Sequence, residues 1–207
     1  MSSSLIDTKA FHKIGYGLYV ITSNDGERDN GMICNTVTQI SSDPLRIGVS
    51  INKQNYTHDT VKKSGKMNVN CLTVSSPFSV FEAFGFRSGR DTDKFSGCTP
   101  RRSENGLAVL PRYINAYMSL EVTDYIDLGS HGFFICSVSE AVTIGDGESM
   151  TYAYYHAKVK PKPAVKSDVK GYVCTICGYV HPENEFPPDF ECPICKHPAS
   201  DFVPIEG

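Results

Sequence analysis

Two pairs of cysteines near the C-terminus carry the clearest chemical signal in the sequence. Each pair has the spacing Cys-x-x-Cys, and fourteen residues separate the pairs. The four residues are Cys174, Cys177, Cys192 and Cys195. Four thiolates at this spacing can surround one metal ion as a tetrahedron, with each sulfur about 2.3 Å from the metal. We therefore predict a metal site rather than a dithiol redox pair or a disulfide.

The segment around these cysteines is too short to fold by apolar burial alone, so the metal must supply much of its folding free energy. We predict that five aromatic residues form a small core beside the metal: Tyr172, Tyr179, Phe186, Phe190 and Phe202. The spacing does not decide between iron and zinc, because both metals accept four thiolates in a tetrahedron.

The remaining four cysteines are scattered singly through the first part of the chain, without a neighbouring histidine or second cysteine. They are Cys34, Cys71, Cys98 and Cys136. We interpret them as small buried hydrophobic residues in strands, with no catalytic role.

Charge and composition divide the 207 residues into three parts and exclude several classes of protein. An apolar content of 40% with 21% charged residues excludes disorder and a coiled coil. No apolar run is long enough for a membrane span, and residues 1–7 lack a signal-peptide pattern, so we expect a cytoplasmic protein without disulfides. The net charge of −3 argues against nucleic acid as a partner.

We predict a first domain over residues 1–156, a linker over 157–170 rich in lysine and proline, and a second domain over 171–207. Their formal charges are −2, +4 and −5. The near-neutral total therefore conceals an acidic module on a basic tether.

The first domain has a sequence of strands with only short helices between them. The predicted strands are 14–23, 32–41, 45–52, 67–74, 118–128 and 133–144, and the predicted helices are 55–63 and 77–84. This order favours an antiparallel barrel or sandwich over a parallel sheet. Neither a Gly-x-Gly-x-x-Gly motif nor a Walker loop is present, so a classical dinucleotide fold and a P-loop are not supported.

Polar residues cluster where these strands end. They are Asn35, Thr36 and Thr38 in one group, and Ser50, Asn52, Lys53, Tyr56 and Thr57 in another. Hydroxyl and amide groups beside a helix N-terminus suit a phosphate and the polar edge of a ring. The alternative is that they serve strand propensity and helix capping.

The C-terminal segment resembles a rubredoxin. The likeness rests on Tyr172–Tyr179, on Cys192-Pro-Ile-Cys195 and on Asp201-Phe202, and the short interval is similar to the compact domain at the end of rubrerythrins. Lys196 replaces a common glycine, and tryptophan is absent. The resemblance implies one iron held by four cysteines as a one-electron carrier, and structural zinc stays as the alternative.

Several short motifs of the first domain resemble the flavin reductase family. They are Asn30–Thr38, Asp43–Lys53, Asn55–His58, Ser88–Phe95, Gly129–His131 and Thr151–His156. The resemblance implies a mainly β chain with a six-stranded antiparallel split β-barrel, a homodimer, and FMN near the dimer interface.

By position in that family, Asn35, Thr36 and Thr38 would lie along the flavin ring. Ser50, Asn52 and Thr57 would reach the ribityl chain and phosphate, and Lys53 and Tyr56 complete the predicted cofactor-binding set. Lys94 and His131 are the candidate catalytic residues. The alternatives are that Lys94 is a solvated surface charge and that His131 only closes a turn. The loop arginines Arg87, Arg90, Arg101 and Arg102 are either solvated or contact the phosphates of a nicotinamide cofactor.

The complete arrangement resembles the high-molecular-weight rubredoxins. It implies an NAD(P)H-dependent flavin oxidoreductase that passes electrons through FMN to the iron and on to a redox partner such as a flavodiiron protein that reduces nitric oxide or dioxygen. The alternative is a flavin reductase or flavin-binding protein whose C-terminal zinc ribbon is an interaction module. The sequence leaves NADH against NADPH, and FMN against FAD, open.

Overall fold

The computed structural model describes residues 8–161, 171–175, 179–183, 185–193 and 198–205. Residues 8–161 form a curved antiparallel sheet with short helices, and the later residues form a small sheet around aromatic side chains. None of the helices within these described ranges is long and apolar enough to cross a membrane.

Seven strands form the main sheet, and a two-stranded hairpin lies beside it. In chain order the strands are β1 (Tyr19–Asn24), β2 (Asp29–Cys34), β3 (Val37–Ser42), β4 (Leu45–Asn52), β5 (Lys66–Leu72), the hairpin strands β6 (Arg101–Arg102) and β7 (Ala108–Val109), β8 (Ile114–Asp127) and β9 (His131–Thr143). The order in the sheet is β2-β1-β5-β8-β9-β4-β3. The two edge strands, β2 and β3, follow each other directly in the chain. Because only Asn35 and Thr36 join them, the sheet must curve until its two edges lie next to each other, as in a split barrel.

The predicted fold class, a mainly β chain with an antiparallel split barrel, is confirmed, although the main sheet has seven strands instead of six and the β6–β7 hairpin was not predicted. The six predicted strands included one over residues 32–41, which the structure divides into β2 and β3. The break falls at Asn35 and Thr36. There the hydroxyl of Thr36 donates to the backbone oxygen of Ser50 at 2.6 Å, so the chain leaves one strand and joins another.

A 3-10 helix over Thr8–Lys13 and three short α-helices complete the first domain. The α-helices are α1 (Tyr56–Ser64), α2 (Phe78–Gly85) and α3 (Tyr152–Tyr154), and α3 continues as a π-helix over Tyr155–Val159. Helix α1 ends at Gly65, as predicted, where a φ of 70° favours glycine and its N–H bonds the oxygen of Val61 at 2.8 Å.

The strands of the sheet bury apolar residues on both faces. In β1, Ile21 packs in a core with α1 and β4. Val20 instead packs in a second core with α2, α3 and the π-helix that continues α3. The period of two along a strand produces this alternation. Val159 also packs against the second core, three residues beyond the predicted domain end at 156. Most of the predicted linker, residues 162–170, lies outside the described residues.

The second domain contains β10 (Tyr172–Cys174), β11 (Val180–His181) and β12 (Phe202–Pro204), in the order β11-β10-β12.

The prediction for the scattered cysteines is correct for three of them and wrong for the fourth. Cys34 and Cys136 are buried and Cys71 is half-buried, all in strands of the first core. Cys98 instead lies exposed in the loop before β6, outside any strand.

Candidate functional site

Predicted cofactor and catalytic residues meet on one face of the sheet, where β4 pairs with β9. Ser50 pairs with Phe133, and Asn52 pairs with His131. Residues that pair across strands share a face, so these four side chains lie together, opposite the face that carries the fully buried Ile51.

The break between β2 and β3 brings Asn35 and Thr36 to the same place. The N–H of Ser50 donates to the oxygen of Thr36 at 3.0 Å, in addition to the hydroxyl contact described above. Thr38 pairs with Gly48, which lies on the same face as Ser50, but it is exposed and farther along the strand. Asn35, Thr36 and Ser50 are therefore neighbours, and Thr38 marks the outer end of the group.

The chain turns from β4 directly into α1. The side-chain oxygen of Asn52 accepts from the N–H of Gln54 at 2.9 Å, and its backbone oxygen accepts from Asn55 at 3.0 Å. The side chain of Asn55, at the N-cap position, makes no capping hydrogen bond. The first-turn N–H groups of α1 therefore lack a side-chain acceptor, which is the arrangement in which helices bind phosphate.

Arg90 adds a permanent cation to this helix start. Its guanidinium donates to the oxygen of Gln54 at 3.2 Å and to Asp59 Oδ2 at 3.0 Å, and it lies 5.1 Å from the centre of the Tyr56 ring. The predicted site set did not include Arg90, although it stands in the motif Ser88–Phe95 that also contains Lys94. The sequence named Arg90 only among the loop arginines that are either solvated or contact the phosphates of a nicotinamide cofactor.

Two other loop arginines have structural contacts instead. Arg102 holds both oxygens of Asp29 at 2.7 and 2.8 Å, and Arg101 lies 5.5 Å from the centre of the Tyr117 ring. Both belong to strand β6 of the β6–β7 hairpin.

Three predicted cofactor residues already have protein partners. Lys53 forms an ion pair with Asp127, which lowers the pKa of that carboxyl group. The hydroxyl of Tyr56 donates to Asp25 Oδ2 at 2.8 Å. Thr57 is 2% exposed, and its hydroxyl accepts from the amide of Asn30 at 2.9 Å.

Lys94 is half-buried and is not a solvated surface charge. Its ammonium donates to the backbone oxygen of Gly31 at 2.7 Å, and burial lowers its pKa to about 8. The neighbouring Asn30 is 3% exposed, and its side-chain oxygen has no hydrogen-bond partner within the described ranges. A buried acceptor without a partner costs about 1–3 kcal/mol.

The position of His131 agrees with the turn-closing role, and its catalytic role stays a prediction. Its backbone oxygen accepts from Leu128 at 2.9 Å and so closes the β8–β9 turn. Its ring lies on the shared face, where Nδ1 contacts the hydroxyl of Ser130 at 2.9 Å and leaves Nε2 for a ligand.

These donor groups fit a flavin nucleotide. Amide, hydroxyl and imidazole groups stand where a polar ring edge would lie, and a helix start with Arg90 stands where a phosphate would lie.

The predicted aromatic core of the second domain is confirmed. Cys174 and Cys192 are fully buried with Phe202, and the other four aromatic residues, Tyr172, Tyr179, Phe186 and Phe190, pack around them. The N–H of Cys174 donates to the backbone oxygen of Tyr179 at 2.8 Å. The other two predicted ligands, Cys177 and Cys195, lie outside the described residues.

His181 is a member of this core that the sequence prediction missed. Its ring stacks on Phe186 with 5.0 Å between centres, and its Nε2 lies 3.1 Å from the oxygen of Glu185.

Comparison with known families agrees with both halves of the structure. Residues 11–162 match the flavin reductase like domain, and residues 172–203 match the rubrerythrin, rubredoxin-like domain. The chain therefore belongs to the flavin reductase-like family, and a rubredoxin-like domain follows the barrel in the sequence. The protein is a flavin reductase-like electron-transfer flavoprotein, and FMN and iron, the predicted cofactors, are those that the two families imply.

Individual relatives extend this assignment. The chain is 40% identical to the high molecular weight rubredoxin of Moorella thermoacetica, over 97% of this chain and 100% of the relative. The predicted resemblance to high-molecular-weight rubredoxins is confirmed. A ferric-chelate reductase (NAD(P)H) of Archaeoglobus fulgidus is 37% identical, over 76% of this chain and 93% of the relative.

The fold also matches solved structures. An FMN-binding protein from Thermus thermophilus superimposes with a TM-score of 0.63 at 21% identity, over 73% of this chain and 88% of that one. At this identity the likeness shows the fold alone.

Proposed function

We propose that the protein takes electrons from NAD(P)H into FMN at the β4–β9 face and passes them through a four-cysteine iron to a flavodiiron protein. One observation carries the proposal: three separate segments bring Asn35, Ser50, Asn52 and His131 together at the end of β4, beside the start of α1. The rubredoxin-like domain on the same chain supplies the outlet for single electrons.

The residues of the barrel divide the work of holding the cofactor. Asn52 and His131 face the ring, and the His131 imidazole offers a donor near its polar edge. Arg90 and the first-turn N–H groups of α1 hold the phosphate. Lys94 supplies a cation from the β2 side, and its anchor on Gly31 fixes the ammonium in place.

When bound, FMN accepts a hydride as two electrons and releases electrons one at a time. An iron held by four thiolates carries one electron without changing its ligands. The buried Cys174 and Cys192 keep such an iron away from water, while the acidic surface of the second domain steers it toward a basic partner.

The shared face also supports a homodimer. Ile126 pairs with Phe133 on this face and is 45% exposed, and Ile40 is 42% exposed. A side chain at Gly48 would lie 2.5 Å from the Phe133 ring and 3.0 Å from Ile40, so both residues cover that glycine. An apolar face beside a cofactor site is suited to a second copy, which would cover the flavin.

The separation of roles between the domains is tested with two cysteine variants of the full chain. Cys192→Ser removes a buried predicted ligand, and Cys98→Ser, at an exposed cysteine, is the matched control. We expect both variants to reduce FMN with NADH at the wild-type rate. Only Cys192→Ser should lose iron and fail to reduce a purified flavodiiron protein. Equal loss of both activities in Cys192→Ser would refute the division of labour.

The ferric-chelate reductase relative favours a second candidate function. The match with that relative spans 157 residues, which are 76% of this chain and 93% of the relative, so that reductase has about the length of the barrel alone. In this case the C-terminal domain would be a zinc-holding interaction module. Cys192→Ser would then reduce ferric-EDTA as fast as the wild type, and metal analysis of the wild type would find zinc instead of iron.

A further inference from the structure

A buried histidine behind the proposed flavin face has contacts on both ring nitrogens. His58 is 4% exposed and belongs to the first turns of α1. Its Nδ1 lies 3.0 Å from Asp59 Oδ1, and its Nε2 lies 3.1 Å from the hydroxyl of Tyr125 on β8. A carboxylate only accepts, so Nδ1 donates to Asp59, and in the neutral ring Nε2 accepts the hydroxyl proton of Tyr125.

The His58 and Tyr125 side chains pack against β9, the strand that carries His131. A side chain at Gly132 would lie 2.7 Å from His58 Nε2 and 2.4 Å from the Tyr125 ring. Both side chains therefore contact the backbone of β9 directly at Gly132. The next residue toward the turn, His131, has its ring on the opposite face of the strand, beside Asn52. The Tyr125 ring therefore packs against the backbone that places His131.

On its other side, His58 is linked through Asp59 to Arg90. Asp59 Oδ2 accepts from the guanidinium of Arg90 at 3.0 Å, while Asp59 Oδ1 holds His58. One continuous series of hydrogen bonds therefore links the loop cation at the start of α1 to the hairpin of His131. Lys62 lies 4.3 Å from the centre of the Tyr125 ring and holds the same side chain from α1.

We propose that His58 is a positioning residue for His131: through Tyr125 it fixes the β8–β9 hairpin at the distance from α1 that the bound flavin requires. The proposal rests on the proposed function, in which His131 faces the flavin. His58 itself touches neither cofactor nor substrate and acts through Gly132.

Removal of a single hydroxyl group in the full-length protein tests the proposal. Tyr125→Phe deletes the contact to His58 without leaving a cavity. Tyr117→Phe is the matched control, because its hydroxyl also makes one bond, to Glu140 at 2.7 Å, about 25 Å away along the same strand. We expect Tyr125→Phe to slow flavin reduction at saturating NADH about tenfold, with the FMN dissociation constant within twofold of wild type. Tyr117→Phe should leave both unchanged.

A second readout does not depend on activity. In the full chain freed of FMN, Tyr125→Phe should speed backbone hydrogen exchange at residues 128–133, and Tyr117→Phe should not. Two substitutions at His58 add a chemical test: Gln reaches the Nε2 position and should retain the rate, whereas Asn reaches only the Nδ1 position and should lose it. Equal losses in His58→Gln and His58→Asn would contradict the proposal.

A double-mutant cycle separates this inference from the proposed function. In a His131→Ala background, Tyr125→Phe should cause no further slowing, because the contact acts through His131. If His131→Ala slows reduction and Tyr125→Phe has its full effect in addition, or has no effect on its own, His58 does not position His131. If His131→Ala reduces FMN normally, the proposed role of His131 fails and the inference fails with it.

Discussion

Lys94 provides a quantitative test of the proposed site, because burial changes its proton affinity. The pKa of Lys94 falls from 10.5 to about 8 in the folded protein. Below pH 8 both the folded and the unfolded chain hold the proton, and the folded state bears the full cost of the buried charge. Between pH 8 and 10.5 the unfolded chain holds more protons, so the free energy of unfolding rises with pH.

The expected size follows from this difference. At pH 7 the buried charge lowers the free energy of unfolding by about 3 kcal/mol, and by pH 10 most of that cost has gone. Lys94→Met removes the titrating group. Between pH 7 and pH 10, the free energy of unfolding of the wild type should therefore rise by about 2.5 kcal/mol relative to that of this variant. The bond from Lys94 to Gly31 contributes a nearly constant offset, because a neutral amine still donates.

Urea unfolding of the flavin-free protein, followed by circular dichroism at pH 7, 8, 9 and 10, measures the difference. Lys63→Met, at an exposed lysine on α1, is the control, and its difference from wild type should stay flat. Tyrosine titration affects all three proteins alike and cancels. The contrary result is a difference in free energy of unfolding between wild type and Lys94→Met that stays constant to within about 0.5 kcal/mol over this pH range. That result would show that the Lys94 side chain is solvated and is not buried beside Asn30.

Three further substitutions test the phosphate site, the flavin ring site and the dimer face. Arg90→Met should weaken FMN binding at least tenfold and leave riboflavin binding unchanged, because riboflavin lacks the phosphate; equal weakening of both in fluorescence titrations would remove Arg90 from the phosphate site. Asn52→Ala should raise the dissociation constants of FMN and riboflavin alike by about tenfold, the loss of one hydrogen-bonding amide; unchanged binding of riboflavin would place the ring elsewhere. Ile126→Arg should convert the proposed dimer to a monomer in sedimentation velocity, whereas the matched Ile144→Arg, at another exposed isoleucine near the far end of β9, should not. A dimer in both variants would exclude the β4–β9 face as the interface.

Local sequence signals were sufficient for the elements on which the site is built. Strand β4 has the predicted bounds, Leu45–Asn52, because Asp43-Pro44 sets its start and the apolar alternation continues to its end. The turn into α1 and its end at Gly65 were equally predictable. The cysteine spacing pointed to the second domain, and the aromatic residues around it packed as expected.

The features that the sequence prediction missed depend on contacts between distant segments. The division between β2 and β3 comes from bonds of Thr36 to Ser50, fourteen positions away, and has no local breaker such as proline. Arg90 reaches Gln54 and Asp59 from a loop more than thirty residues later, so its position could not be read from its own neighbours. His58 looked like an ordinary helix residue, and only the packing of β8 and β9 makes it a link to His131.

An anaerobic titration of the purified full-length protein with NADH tests the central claim most directly. The oxidised protein should contain one FMN and one iron per chain and show ferric-thiolate absorption over the flavin bands. Both sets of bands should bleach together after about three electrons per chain, two for the flavin and one for the iron. Bleaching of the flavin after about two electrons with the iron still oxidised, or a sample that contains zinc and no iron, would contradict electron transfer from the barrel to the rubredoxin-like domain.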